Sequence, residues 1–384
     1  MKKWVIGALL VAGCLGALLF LPSNYYLRKA LVHLTPKIDQ YSIFENRTVK
    51  AGNPVPWQLA QEYNQGTIPA HLLPVFEKYG TVAFVVIKDN QLLFDSYWQD
   101  YSSSSLSNSF SMAKSIVALA VGCAIDDGFI RNVDQPVSDF IQGFDGYDGT
   151  VLTIKHLLTM SAGVDFEEAY TSPFSPTTKL YYGNDLSAVT FQMKAIEEPG
   201  GNFVYQSGVT QLLAFVLEKA TGERLADYVS RKLWTPIQAE ENALWSLDEK
   251  DGMEKAYCCF NSNARDFARF GQLLLNKGYW NYTKVISMEF LEEATTPDSS
   301  LVFAEYNEPN HYYGYQYWIL NYRHMQIPYM RGILGQYVFV LPQLNAVIVR
   351  LGKKRSESRT AQHYPDDIDV WLEAGISIIN QSTQ

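Results

Sequence analysis

Ser111-Met112-Ala113-Lys114 sets a hydroxyl and an amine three residues apart. At the start of a helix that spacing puts both side chains on one face, about 5–6 Å apart. A serine hydroxyl is a weak nucleophile until a base takes its proton. A lysine can be that base where burial and neighbours favour its neutral form. The helix N-terminus adds free N–H groups and positive potential, which suit a developing oxyanion. Alone, Ser-x-x-Lys is common on solvated helix faces. A second candidate element, Pro199-Gly200-Gly201-Asn202-Phe203-Val204-Tyr205-Gln206-Ser207, stands just before another helical stretch.

These residues need elements to hold them. Ser111 to Asp127 is rich in Ala, Ile, Leu and Val nearly all round, the pattern of a buried helix, and Gly128 suits its C-terminal stop. Thr81 to Ile87 and Gln91 to Trp98 read as a hairpin turning at Asp89-Asn90. The polar run Ser102 to Ser109 reads as a loop approaching the site. Further helices are expected over Thr153 to Met160, with Thr153 as cap, over Thr210 to Thr221, over Ala264 to Lys277, and from about Asp366 to Ile379. Tyr337 to Leu341 and Ala346 to Leu351 read as two late strands. Asp165 to Gly183 has little periodicity and reads as a long surface loop. Strands early and late with helices between predict an α/β (α+β) domain: an antiparallel sheet flanked by helices, with an inserted all-helical subdomain.

The ordered motifs resemble the serine β-lactamase, penicillin-binding protein and esterase superfamily, in particular its class C-like branch. Three further stretches agree: Leu152 to Gly163, Leu212 to Gly222, and Ala264 to Gly271. The resemblance implies a β-lactamase/transpeptidase-like fold, with Ser111 as nucleophile and Lys114 as its base partner. Tyr205 corresponds to the tyrosine that carries a proton to the leaving group. Where the family has Tyr-x-Asn, Ser207 replaces the asparagine. The Lys-Thr-Gly motif is absent, and Arg331-Gly332-Ile333-Leu334-Gly335-Gln336 occupies its region. Both departures resemble the 6-aminohexanoate-dimer hydrolase and esterase sub-branch. That likeness implies an oxyanion hole from the backbone N–H groups of Ser111 and Ile333, and substrate contacts at Ser207, Tyr170 and Gly332. Arg331 could replace the missing cation that holds a substrate carboxylate. His156 reads as structural. No metal or organic cofactor is implied. The expected reaction is cleavage of a small-molecule ester or linear amide through a Ser111 acyl-enzyme. The alternatives are a D,D-peptidase or β-lactamase, and a non-catalytic binding or sensor protein of the same fold.

The bulk numbers set outer limits. With 47% hydrophobic and 18% charged residues the chain can bury a large core. A net charge of -9 without a basic run argues against nucleic acid. Nothing implies an obligate protein partner. Met1-Lys2-Lys3 precedes an uncharged run from Trp4 to Leu21, which as a helix would span roughly 27 Å, close to a bilayer core. This predicts a membrane anchor over 1–22, a juxtamembrane lead-in over 23–67 and the hydrolase domain over 68–384. The domain would lie outside the cytoplasm, on the periplasmic or extracellular side. Val11-Ala12-Gly13-Cys14 allows the alternative of a lipoprotein modified at Cys14. Cys123, Cys258 and Cys259 read as small apolar filler.

Overall fold

The computed structural model describes Trp4 and residues 19–382. The expected anchor, with Cys14, lies almost wholly outside them, and among the described residues no helix is long and apolar enough to cross a membrane.

Six antiparallel strands form the main sheet: β1 (Thr81–Lys88), β2 (Gln91–Tyr97), β3 (Trp318–Tyr322), β4 (Met325–Gly332), β5 (Gln336–Leu341) and β6 (Ala346–Gly352). Their order is β3-β4-β5-β6-β1-β2, so the late strands pair with the early hairpin through β6 and β1. Asp89 and Asn90 both take positive φ, 51° and 63°, as a tight two-residue hairpin turn requires. Strands β5 and β6 are buried along their whole length, which suits their mainly Val, Ile, Leu and Phe composition.

The helices that matter here are α1 (Tyr25–His33), α2 (Met112–Asp126), α3 (Ile154–Leu158), α4 (Pro176–Tyr182), α5 (Ser207–Thr221), α6 (Ala264–Leu275) and α7 (Ile368–Gln381). Helix α6 packs on the sheet through Gly271, where a Cβ would strike Val347 at 2.7 Å. Helix α7 packs through Gly375, where a Cβ would meet Ile348 at 2.2 Å. Val347 and Ile348 are neighbours on β6 and point to opposite faces, so the two helices cover both sides of the sheet. Helices α2 and α5 pack together beside it, with α3 and α4 against α5. This is the sheet with an inserted helical region that the order of elements predicted. Thr153 caps α3 as expected, its N–H donating to His156 Nδ1 at 3.1 Å.

Two expectations are corrected. Asp165 to Gly183 is not loop throughout, because Pro176–Tyr182 is helical. Ser175 Oγ accepts from Thr178 N at 3.1 Å and Pro176 takes the first helical position. Tyr181 and Tyr182 are then buried rather than surface aromatics. Cys258 and Cys259 are not filler: they are joined by a disulfide. Cys259 adopts φ 68°, which takes the pair out of the extended conformation that would point their side chains apart. Cys123 is free and buried, as expected. The lead-in also contributes to the core, through Ile38, Phe44, Val49 and Trp57.

Lys255 is wholly buried, donating to Leu180 O at 2.9 Å and Gly183 O at 3.3 Å. Burial pulls its pKa down from 10.5 to about 7. Between those values the unfolded chain holds a proton that the folded chain has released. Stability therefore rises with pH across that window and the gain is lost as pH falls through about 7. Urea titrations from pH 7 to 9 should show Lys255→Met lacking a slope of about 1.4 kcal/mol per pH unit that the parent has. Equal slopes would refute the assignment.

Candidate active site

The turn ahead of α2 explains how Ser111 is presented. Ser109 N donates to Phe260 O at 2.8 Å, and Phe110 N donates to Asn108 Oδ1 at 2.8 Å. Between them Phe110 is held at φ 44°, a left-handed conformation that costs a bulky residue of order 1–3 kcal/mol. Its ring is buried, and that burial offsets the strain. The chain then turns directly into α2, with Ser111 at the N-cap position.

Lys114 follows on the first turn and is 1% exposed. Its Nζ lies 3.3 Å from Ser111 Oγ and donates to Ser207 Oγ at 3.1 Å and Tyr257 O at 2.9 Å. It also lies 4.9 Å from the Tyr205 ring centre and 5.5 Å from that of Tyr257. No carboxylate touches it among the described residues, although Glu168 is one hydroxyl away. Ser207 Oγ donates to Glu168 Oε1 at 2.7 Å, and Ser207 N donates to Glu168 Oε2 at 2.7 Å. Tyr170 OH donates to the same carboxylate at 2.5 Å. Lys114, Ser207, Glu168 and Tyr170 thus form one hydrogen-bonded chain. Burial of the hydroxyl end first, then the Glu168 charge, raises the Tyr170 phenol well above its usual range, although the residue as a whole is 54% exposed.

Tyr205 is fixed by its neighbours on either side. Val204 N donates to Met160 O at 2.8 Å. Gln206 Nε2 donates to Val164 O at 2.9 Å and Phe166 O at 2.8 Å, which also ties down the segment carrying Glu168. Helix α5 begins at Ser207, three residues earlier than the sequence reading placed it.

The end of β4 completes the cleft. Gly332 is required for packing, since a Cβ there would meet Ser109 O at 2.2 Å, and it also lines the cleft. Ile333 follows and borders the cleft beside Ser111. The N–H groups of Ser111 and Ile333 have no acceptor among the described residues. The turn is held from beneath by buried Arg350, which donates to Leu334 O at 3.1 Å and Gly335 O at 2.7 Å. Arg331 faces the cleft, its guanidinium 3.3 Å from the Trp318 ring centre, with Arg355 and Arg359 nearby. His156 stays out of the cleft lining.

The structure therefore brings Ser111, Tyr205, Tyr170, Gly332 and Ile333 around one cleft, with Lys114 and Ser207 hydrogen-bonded behind Ser111. Sequence reading overlooked Glu168, the Tyr257 carbonyl and Arg350. Glu168 stood two residues from Tyr170, but nothing local marked it as the partner of Ser207.

The beta-lactamase family profile matches residues 74–369. A 6-aminohexanoate-dimer hydrolase of Paenarthrobacter ureafaciens is 26% identical over 291 residues, 72% of this chain and 73% of that protein. A Bacillus anthracis structure, provisionally assigned as a 6-aminohexanoate-dimer hydrolase, superposes with TM-score 0.74 at 22% identity, covering 93% of this chain and 95% of that one. A family VIII carboxylesterase superposes with TM-score 0.63 at 16% identity, covering 84% of this chain and 99% of that one. The chain belongs to the beta-lactamase family, and it is a serine hydrolase acting on ester or amide bonds.

Proposed function

We propose that Ser111 is the acylated nucleophile, with Lys114 and Tyr205 moving its proton. The observation that carries this is the 3.3 Å contact from buried Lys114 Nζ to Ser111 Oγ, with Tyr205 packed against the same amine. Neutral Lys114, with Tyr205 beside it, takes the serine proton as Oγ attacks the carbonyl carbon. The Ser111 and Ile333 N–H groups receive the oxyanion. Tyr205 delivers the proton to the departing oxygen or nitrogen as that bond breaks. Water, deprotonated by the same pair, then releases the acid and restores Ser111. Glu168 holds Ser207, and through it Lys114, in place.

The substrate is an ester or linear amide, with its polar leaving part on the arginine side of the cleft. A fluorophosphonate probe should label the full-length protein at Ser111, mapped by peptide mass spectrometry, and short p-nitrophenyl esters should turn over. Turnover confined to β-lactams or D-Ala-D-Ala peptides would replace ester and linear-amide cleavage with the β-lactamase or peptidase reading. Absence of any labelling of folded protein would leave a silent binding relative.

We also propose membrane attachment through the N-terminal run, with the domain outside the cytoplasm. The lysine-flanked apolar stretch supports this, as does a disulfide, which persists in oxidising compartments. The mass of the mature N-terminus would separate an intact anchor from a chain cleaved before Cys14.

A further inference from the structure

Ser111 borders two different spaces. One is the polar cleft already described, of about 330 Å³. The other is an adjoining apolar cavity of about 280 Å³, which shares Ser111, Tyr170 and Ile333 with that cleft. Phe110, Ile333 and Tyr181 line its inner end, and Leu27, Leu31 and Leu34 line its outer wall. Those three leucines belong to α1 and the residue after it, outside the family-matching segment 74–369. The hydroxyls of Thr177 and Thr178, which also border the cavity, are spent on backbone carbonyls at 3.2 and 2.8 Å.

Helix α1 is seated there by specific contacts. His33 stacks on Tyr182 with ring centres 6.4 Å apart. Lys29 Nζ donates to Ile43 O at 3.0 Å. Even so, Leu31 is 59% exposed and Leu34 75% exposed at the outer edge, so the cavity opens on an apolar rim.

We propose that this cavity takes an aliphatic acyl chain, so that the substrate is a fatty-acyl ester or amide. The inference rests on the Ser111 acyl-enzyme reading and adds to it the identity of the acyl half. The direction follows from the proton path. Tyr205 and the three arginines line the polar cleft and are absent from the apolar cavity, so the group that receives the proton and leaves lies on the polar side. The half that stays on Ser111 then extends under α1, where each methylene withdrawn from water favours binding by about fourfold.

The test compares kcat/KM of the full-length protein for p-nitrophenyl octanoate and p-nitrophenyl acetate, with fluorophosphonate labelling alongside. The octanoate should be preferred by roughly 10- to 100-fold, because only part of the chain is fully enclosed. Leu31→Asp, at an exposed position, and Leu27→Trp, which narrows the cavity from its wall, should each lower that preference about tenfold. A preference near one in the wild type, or one untouched by both substitutions, would overturn the acyl cavity while leaving an active serine hydrolase. No turnover of either ester and no labelling would instead sink the acyl-enzyme reading beneath it. Release of fatty acid from phosphatidylglycerol vesicles would identify a membrane lipid as the source, and activity confined to monomeric esters a soluble one.

Discussion

Ser111→Ala is expected to lower ester kcat/KM by about 10⁴-fold or more and to abolish fluorophosphonate labelling. Removing a serine nucleophile leaves only the stabilisation of the oxyanion and substrate positioning, so the loss is of the order seen when an acyl-enzyme pathway is closed. The fold should be indifferent. Ser111 Oγ has one hydrogen-bond partner, Lys114 Nζ, and that amine keeps its bonds to Ser207 and Tyr257 O. Phe110, which bears the backbone strain, is untouched. Thermal unfolding within a few degrees of the parent, with turnover gone, is the expected pair of results. Retained turnover would show that another group attacks.

Lys114→Arg is expected to cost about 10³-fold or more, nearly as much as Lys114→Met. An arginine is always positively charged and does not give up its proton, so it cannot take one from Ser111. If Lys114 acted only by placing a positive charge beside Ser111, the arginine variant would keep much of the activity and the methionine variant would not. Comparing the two therefore separates a base from a fixed cation. Both substitutions disturb packing, because Lys114 is enclosed and Ser207 Oγ and Tyr257 O each lose a donor. Melting curves must accompany the rates. A folded arginine variant at near-parent kcat would remove Lys114 from the proposed proton path.

Local sequence was enough to place Ser111 and Lys114 on one face, because the spacing of three is a property of the helix itself. It was also enough for β1, β2, β5, β6 and the apolar helix α2, whose composition states that they are buried. The family resemblance placed Tyr205 and Ile333 near the nucleophile. Three features were not local. Helix α4 is short, and its cap at Ser175 with Pro176 was outweighed by a run of small polar and aromatic residues lacking a clear period. The Cys258–Cys259 disulfide depends on a positive φ at a non-glycine residue, which no composition signal announces. Glu168 depends on Gln206 tying its loop down across Val164 and Phe166.

The sequence by itself determined the chemistry available at Ser111, since residue type and helical spacing suffice for a nucleophile and its neighbour. Only the tertiary structure decided what surrounds them. Helix α1 and the turn after Gly332 are far from Ser111 along the chain. Long-range docking leaves an apolar cavity walled by α1 and, sharing Ser111 with it, a cleft lined by Arg331, Arg355 and Arg359. A cavity is the shape left between packed elements, and that shape is a property of their long-range docking rather than of any one segment.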